Sequence, residues 1–575
     1  MKNSKKILIL SSVIITVLLT LYCTSYANSF FDNFNKGNLQ FEAGNYLEAI
    51  EFYDKAIEYN SNEPDVYYNK GLALYNLLRF EEAIAEYDNA IRINPRYVDA
   101  YLNKSATCYD LGMYKEALDA ANKTIELSPR NMYAHFIKGA ALFGKERFEE
   151  AIESLDKSIE LNTDNYFLSY VYSIKAAVLI EMKKIDEALE FCEKAIGLNP
   201  ENVDAYINKS LIFNNKDDVE GAYELIIKAI EIDPSNPAAH INKAYFLNEL
   251  KKHEEALEIC KKAIELNQFN NPQSSFKIYI NKSLSLIELK RYEEGLEVAL
   301  KAIEINPDLP EGYINKCKAL IELGRNEEAL GIANKVIEVD PDSYLGFLNR
   351  SIAYINLKNY DKAIEDCKRV LESNPSDKNM ILKTYVNLSH AYTEKGQPDK
   401  SIEVCEEAFS LGYNDQKLLS MISTNMSGAL YNLGKYEEAL EYSSNAIELD
   451  NENELAYVSK GNIYHAINQY DKALESFNRA IEINPESFEA YNNKGLVLES
   501  LGRLDEALAE FEKSLAINPS NQLVSENRNR VESKIRGMKI FRIIALCTAI
   551  MILVIVVIII LIVKSKNSKP ERLYG

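Results

Sequence analysis

The sequence predicts an all-α chain: an α-solenoid of stacked helical hairpins, followed by one membrane-crossing helix. Three observations carry this. A 34-residue unit recurs fourteen times between residues 30 and 521. Inside each unit two separate stretches space their apolar residues at i, i+4 and i+7, the mark of two amphipathic helices. Residues 543–563, IIALCTAIMILVIVVIIILIV, form an uncharged run that as a helix is about 31 Å long, against a hydrocarbon core of about 30 Å.

The bulk numbers agree. A chain of 575 residues is too long for one core, but a repeat array escapes that limit because each unit packs on its neighbours. Hydrophobic content of 47% with 26% charged argues against disorder, and only 15 prolines and 22 glycines suit helices. A net charge of -21 speaks against a nucleic-acid partner, whose phosphates need a basic face. Cys23, Cys108, Cys192, Cys260, Cys317, Cys367, Cys405 and Cys547 include no CxxC and no Cys/His cluster, so there is no zinc signal. Six of them read as buried free thiols; Cys23 and Cys547 fall in the two terminal apolar segments.

The N-terminus, residues 1–27, reads as a signal peptide. Lys2, Lys5 and Lys6 form a basic start, Ile7 to Leu21 an apolar run too short to span, and Ser25-Tyr26-Ala27 a small-x-small cleavage site. Tyr22 before Cys23 weighs against a lipoprotein. The alternative is an uncleaved N-terminal anchor.

The units begin at 30, 64, 98, 132, 169, 203, 237, 276, 310, 344, 382, 420, 454 and 488 and are numbered 1–14 below. Short insertions fall at 166–168, 271–275, 378–381 and 416–419. In repeat 2, Tyr67, Gly71 and Leu74 share one face of a first helix, and Ala83, Tyr87 and Ala90 one face of a second. Gly71 is expected to let the two helices approach closely. Glu81 and Glu82 open the second helix, where its dipole favours negative charge, and Pro95 closes the unit. The marks recur together: glycine at 37, 71, 139, 461 and 495, alanine at Ala49, Ala83, Ala117, Ala151 and eight later positions, and proline at the end of nine units.

This pattern resembles the tetratricopeptide repeat (TPR) over residues 30–521. It departs in having no Trp, with Tyr67, Tyr101 or Tyr206 in its place, and in the weak marks of repeats 11 and 12, which are expected to bend or hinge the array. The resemblance implies a right-handed superhelical α-solenoid whose concave groove, lined by the first helices, binds peptides or partner proteins. In that frame Cys192, Cys260, Cys367 and Cys405 take the place of the core aromatic or alanine of the second helix.

After the array, residues 522–542 read as a polar capping helix, which a terminal repeat needs, and a juxtamembrane segment. Residues 543–563 are the transmembrane helix, and 564–575 a short basic tail with Lys564, Lys566, Lys569 and Arg572. The basic N-terminus holds that end inside, so the TPR region is expected to be extracytoplasmic and the tail cytoplasmic. Arg528, Arg530, Lys534, Arg536, Lys539 and Arg542 on the near flank argue the opposite sense.

No catalytic motif is present: no GK[ST] phosphate loop, GxSxG or HExxH. His135, His240 and His253 occupy core aromatic positions, while His390 and His465 lie on first helices without a Cys/His partner. The expectation is a non-enzyme without cofactor or metal. It is a protein–protein interaction scaffold at a membrane surface, with protein or peptide partners and no small-molecule substrate. The alternatives are a subunit of a larger envelope or secretion complex, or a regulatory arm recruiting a separate enzyme.

One position marks the groove. Two residues before the Gly/Ser mark, eleven of the fourteen units carry asparagine: Asn35, Asn69, Asn103, Asn208, Asn242, Asn281, Asn315, Asn349, Asn387, Asn425 and Asn493. That position shares a helix stripe with residues four before and three and seven after it, apart from the Tyr/Gly/Leu packing stripe. An amide both donates and accepts, so a row of them suits a peptide backbone of any sequence. The same row also suits bonding between helices. The next residue is Lys or Arg in twelve units, which favours either acidic ligands or pairing with nearby glutamates.

Overall fold

The computed structural model describes residues 14–16, 18, 27–162, 164–266, 272–373 and 377–567. Most of the expected signal segment, with Cys23, and the tail residues Lys569 and Arg572 lie outside these. The described residues contain helices and turns but no strand. Two compact units, 1–289 and 290–575, are each a stack of antiparallel helix pairs, an α-solenoid.

Repeat 2 shows how the sequence builds a pair. Pro64 opens the first helix, Pro64–Asn76, where a missing N–H costs nothing. The second helix is Phe80–Ile93. Between them Leu78 adopts φ 61°, and the Arg79 N–H closes the turn on the Leu74 carbonyl at 2.9 Å. A left-handed residue occurs at this register in all fourteen repeats, as glycine in six (Gly44, Gly112, Gly324, Gly396, Gly434, Gly502) and as a residue with a side chain in the others. The turn geometry is therefore fixed by the repeat, and the non-glycine repeats carry its steric cost.

Packing within a pair follows a rule of complementary volume. Where the first helix carries glycine, the second presents a large side chain. A Cβ on Gly71 would sit 2.6 Å from the Tyr87 ring, one on Gly139 2.7 Å from Leu155, and one on Gly495 2.7 Å from Phe511. Where the first helix carries Ser, Ala or Cys, the facing residue is mostly small or slim: Ser105 with Ala121, Ala176 with Cys192, Ala244 with Cys260, Cys317 with Ala333, Ser351 with Cys367, Ser389 with Cys405; Ser210 with Ile226 is the exception. The cysteines are thus volume fillers. Burial pushes the Cys192, Cys260, Cys317, Cys367 and Cys405 thiols up to about 12, far from any reactive thiolate.

The four insertions are absorbed as one extra turn of helix. First helices are 13 residues long in most repeats but 17 in Asn165–Glu181, Pro272–Glu288, Lys378–Glu394 and Gln416–Asn432. Second helices open with Arg–Glu clamps at i, i+3, such as Arg147–Glu150 and Arg503–Glu506, which place the acid in the first turn as the dipole favours.

Within each unit most consecutive first helices touch each other, for example Val98–Asp110 with Met132–Gly144 and Gln416–Asn432 with Glu454–Ala466. Among the described residues no two second helices approach as closely. The first helices therefore form the inner, crowded face of each stack and the second helices the outer one.

The C-terminal element differs from the expected partition. Cap, juxtamembrane segment and apolar run form one helix, Gln522–Asn567. Its first turns bury Val524, Val531 and Ile535 against Leu498, Leu504 and Phe511. Asn527 donates to Asn492 at 2.9 Å, and Arg530 and Lys534 both bind the Glu499 carboxylate. From Ile540 to Lys566 the side chains are exposed, Phe541 by 72%.

The candidate functional site: the first-helix face

The asparagine row lies on this inner face, and its amides are engaged between repeats. Asn69 donates to Asn38 at 2.9 Å, Asn103 to the Tyr68 hydroxyl at 2.7 Å, Asn208 to the Ser173 carbonyl at 2.8 Å and Asn281 to the Ile241 carbonyl at 3.1 Å. Asn387 reaches the Ser351 hydroxyl, Asn425 the Val386 carbonyl and Ser389 hydroxyl, and Asn493 Asn462. In each case the partner belongs to the first helix of the preceding repeat. Asn242 bonds back to Ala238 of its own helix. Asn315 and Asn349 are buried, and Asn35, in the first repeat, is exposed. The row is thus a line of staples across successive first helices, donating through Nδ2.

The basic residue that follows the asparagine faces the second helices instead. Lys70 binds Asp54 and Glu86, both at 2.7 Å, Lys104 binds Asp88, Lys209 binds Glu193 and Lys494 binds Glu510. Lys175 pairs with Asp156, and Arg350 forks onto buried Asp366. Burial opposes the charge on Lys70, but its two carboxylate partners outweigh that and hold the ammonium above its usual range. Of the two readings open for these cations, internal pairing is the geometry found. In repeats 4 and 13 serine replaces the acid: hollows of about 590 and 950 Å³ open around Lys138 and Lys460, beside Ser154 and Ser476.

The ends of the asparagine stripe carry features the sequence reading did not single out. Asp65 accepts from the Tyr97 hydroxyl at 2.7 Å, and Asp110 from Tyr75 at 2.8 Å. Asp110 and Asp204 are open to water, yet the protein mass around them raises both carboxyls above the usual range. Tyr109 of repeat 3 is pushed up to about 12 by burial and by several neighbouring groups, Asp110 and Asp204 of repeat 6 among them. Aromatic rings continue the surface: Tyr133 against Phe167 at 4.6 Å, and Tyr166 hydrogen-bonded to Tyr170 at 3.0 Å. The signal was legible, since each of these acids stands four before or seven after the asparagine position.

Four of the five histidines hold hydrogen bonds within the fold. His135 and His240 bond to the carbonyls of Pro129 and Pro234, His253 to Asn248 and His465 to Ser500. Among the described residues no group of His, Cys, Asp and Glu has the arrangement of a metal site.

Known proteins resemble this chain in the repeat region. Family profiles described as TPR repeat or tetratricopeptide repeat match residues 37–97, 203–258, 276–309, 316–378, 382–411, 423–453 and 461–521. A profile described as anaphase-promoting complex, cyclosome, subunit 3 matches 110–195. No curated protein sequence matches the chain. Among solved structures, a chain from the crystal structure of the APC/C hetero-tetramer Cut9-Hcn1 is similar at 14% identity and a TM-score of 0.47, covering 81% of this chain and 96% of that one. With profiles of one repeat type recurring through most of residues 37–521, this protein belongs to the tetratricopeptide repeat family.

Proposed function

We propose that the protein is a membrane-tethered scaffold that holds an extended segment of a partner protein along the inner face of its first helices. The observation that carries this is the convergence of successive first helices on one face, stapled by asparagines, which keeps a long surface in fixed register. The Oδ1 atoms of Asn103, Asn208 and Asn425 are the acceptors we assign to the partner's backbone N–H groups, repeated at the spacing of the array.

The tether is the apolar run 543–563. Its side chains are exposed and packed on nothing in the described residues, whereas a core helix of this composition would be covered. Because cap and span are one helix, the last repeat stands close to the bilayer. We place the repeats outside the cytoplasm and the tail from Lys564 inside. Protease added to spheroplasts then digests the repeats; digestion of the tail alone inverts the assignment.

The binding face is tested by photo-crosslinking in intact cells. A photoreactive residue at Tyr133 or Tyr170, on first helices, is expected to capture a defined partner, while one at Glu149 or Glu187, on second helices, does not. Capture from the second helices alone rejects the assignment.

A further inference from the structure

The charges on the inner face of unit 1–289 are sorted. On the stripe that contains the asparagines, repeats 1–8 carry eight carboxylates and a single ammonium, Lys277. The lysines of the same first helices are turned away. Lys70, Lys104, Lys175 and Lys209 end in ion pairs with acids of the second helices. This face therefore presents negative charge, while these four lysines are neutralised behind it.

Asp110, seven residues after the asparagine of repeat 3, and Asp204, four before that of repeat 6, both stand on this stripe and are exposed. Neither carboxylate has a cationic partner among the described residues. The Tyr75 hydroxyl donates to Asp110, and on the first helices of repeats 4 and 5 Tyr133 and Tyr166 are exposed by 43% and 60%. Aromatic faces are the surfaces on which ammonium and guanidinium groups settle.

We propose that the first-helix face of unit 1–289 receives an extended, lysine- or arginine-rich segment of a partner protein, its cationic side chains meeting the exposed carboxylates of the asparagine stripe, Asp110 and Asp204 among them. The proposal rests on the groove reading above and adds the sign of the ligand. It is the opposite of what the lysine row by itself would suggest.

The test uses the full chain in detergent and two fluorescent peptides of about twelve residues, one alternating Lys with Gly and Ser, the other Glu with Gly and Ser. Three proteins are compared: the native chain, Asp110→Asn/Asp204→Asn, and Glu81→Gln/Glu187→Gln, which removes two exposed acids from second helices. The amide oxygen introduced by Asp110→Asn keeps an acceptor for Tyr75, and circular dichroism checks that each variant folds. The lysine peptide is expected to bind the native chain, to weaken about tenfold in the first variant and to stay unchanged in the second. Equal loss in both variants means diffuse attraction to an acidic protein and overturns the proposal, as does preferential binding of the glutamate peptide. Crosslinks from the bound peptide separate the two readings. Crosslinks to first helices with no effect of Asp110→Asn/Asp204→Asn reject the charge assignment alone; crosslinks to second helices reject the groove itself.

Discussion

Replacing Gly71 by alanine tests the packing rule that gives each repeat its shape. The added Cβ would lie 2.6 Å from Cε1 and 2.8 Å from Cδ1 of Tyr87, where carbon atoms normally rest about 3.5–4 Å apart. Tyr87 is 1% exposed and cannot swing into solvent, so the helices must separate or the ring must strain. Overpacking of this kind costs about 1–3 kcal/mol. Tyr87→Cys alone leaves a cavity and costs about 3–5 kcal/mol, as large-to-small core changes do. The double change recreates the pair Ser351/Cys367 in kind when Gly71 becomes Ser, and the two substitutions should cost less together than the sum of each, with a coupling of about 0.5–3 kcal/mol. Hydrogen exchange by mass spectrometry on the full chain reads this locally, because repeat arrays open unit by unit. Gly71→Ala should speed exchange across Pro64–Asn76 and Phe80–Ile93 by about 5- to 150-fold, with helices Phe488–Ser500 and Leu504–Ile517 as the internal reference. Unchanged exchange, or strict additivity in the double variant, would refute the complementary-volume account.

Three further outcomes follow from particular contacts. Leu78→Gly relieves a left-handed residue at φ 61° that is half exposed, and should stabilise repeat 2 by about 1 kcal/mol; the same change at Leu74, in helical conformation, should destabilise it, and exchange rates distinguish them. Asn208→Ala removes the bond to the Ser173 carbonyl and should cost about 1 kcal/mol, seen as faster exchange in Val203–Asn215; unaltered exchange would mean the staple contributes nothing. Arg530 first, then Lys534, holds the Glu499 carboxyl below the usual glutamate range. A carboxylate with a depressed folded-state pKa adds stability above its unfolded pKa and loses it as pH falls through the folded value. Protection of residues 522–536 should therefore fall below about pH 4.5 in the native chain, and Glu499→Gln should show the weaker protection already at pH 7; a native-like Glu499→Gln cap would contradict this.

Much of the fold was legible because a repeat states its rules many times over. Gly71 and Tyr87 announce close helices, Pro95 the end of a unit, and 543–563 an apolar run that nothing in the array could cover. The left-handed turn was harder to see, since glycine marks it in only six repeats and Leu78, Glu146 or Lys358 adopt it under the constraint of their neighbours. The extra helical turns at the insertions were hidden for a similar reason: a few added residues read equally as loop. At the candidate site the asparagine stripe could be located from helical periodicity, but not which partner each amide takes. Asn208 bonding to Ser173 and Lys209 to Glu193 depend on how one repeat sits on the last and how its two helices pair, relations that spacing inside a repeat does not contain. That Asp110 accepts from Tyr75 of the preceding repeat is likewise a relation between repeats, which spacing inside one repeat does not contain.

The most direct test of the account is hydrogen exchange on the full chain in lipid nanodiscs, with and without a partner captured from membranes. Binding along the inner face predicts slowed exchange confined to first helices, foremost Val98–Asp110, Asn165–Glu181 and Val203–Asn215, with the second helices Phe148–Leu161 and Ile185–Leu198 unchanged. Slowing of the second helices with the first helices unaffected would contradict it.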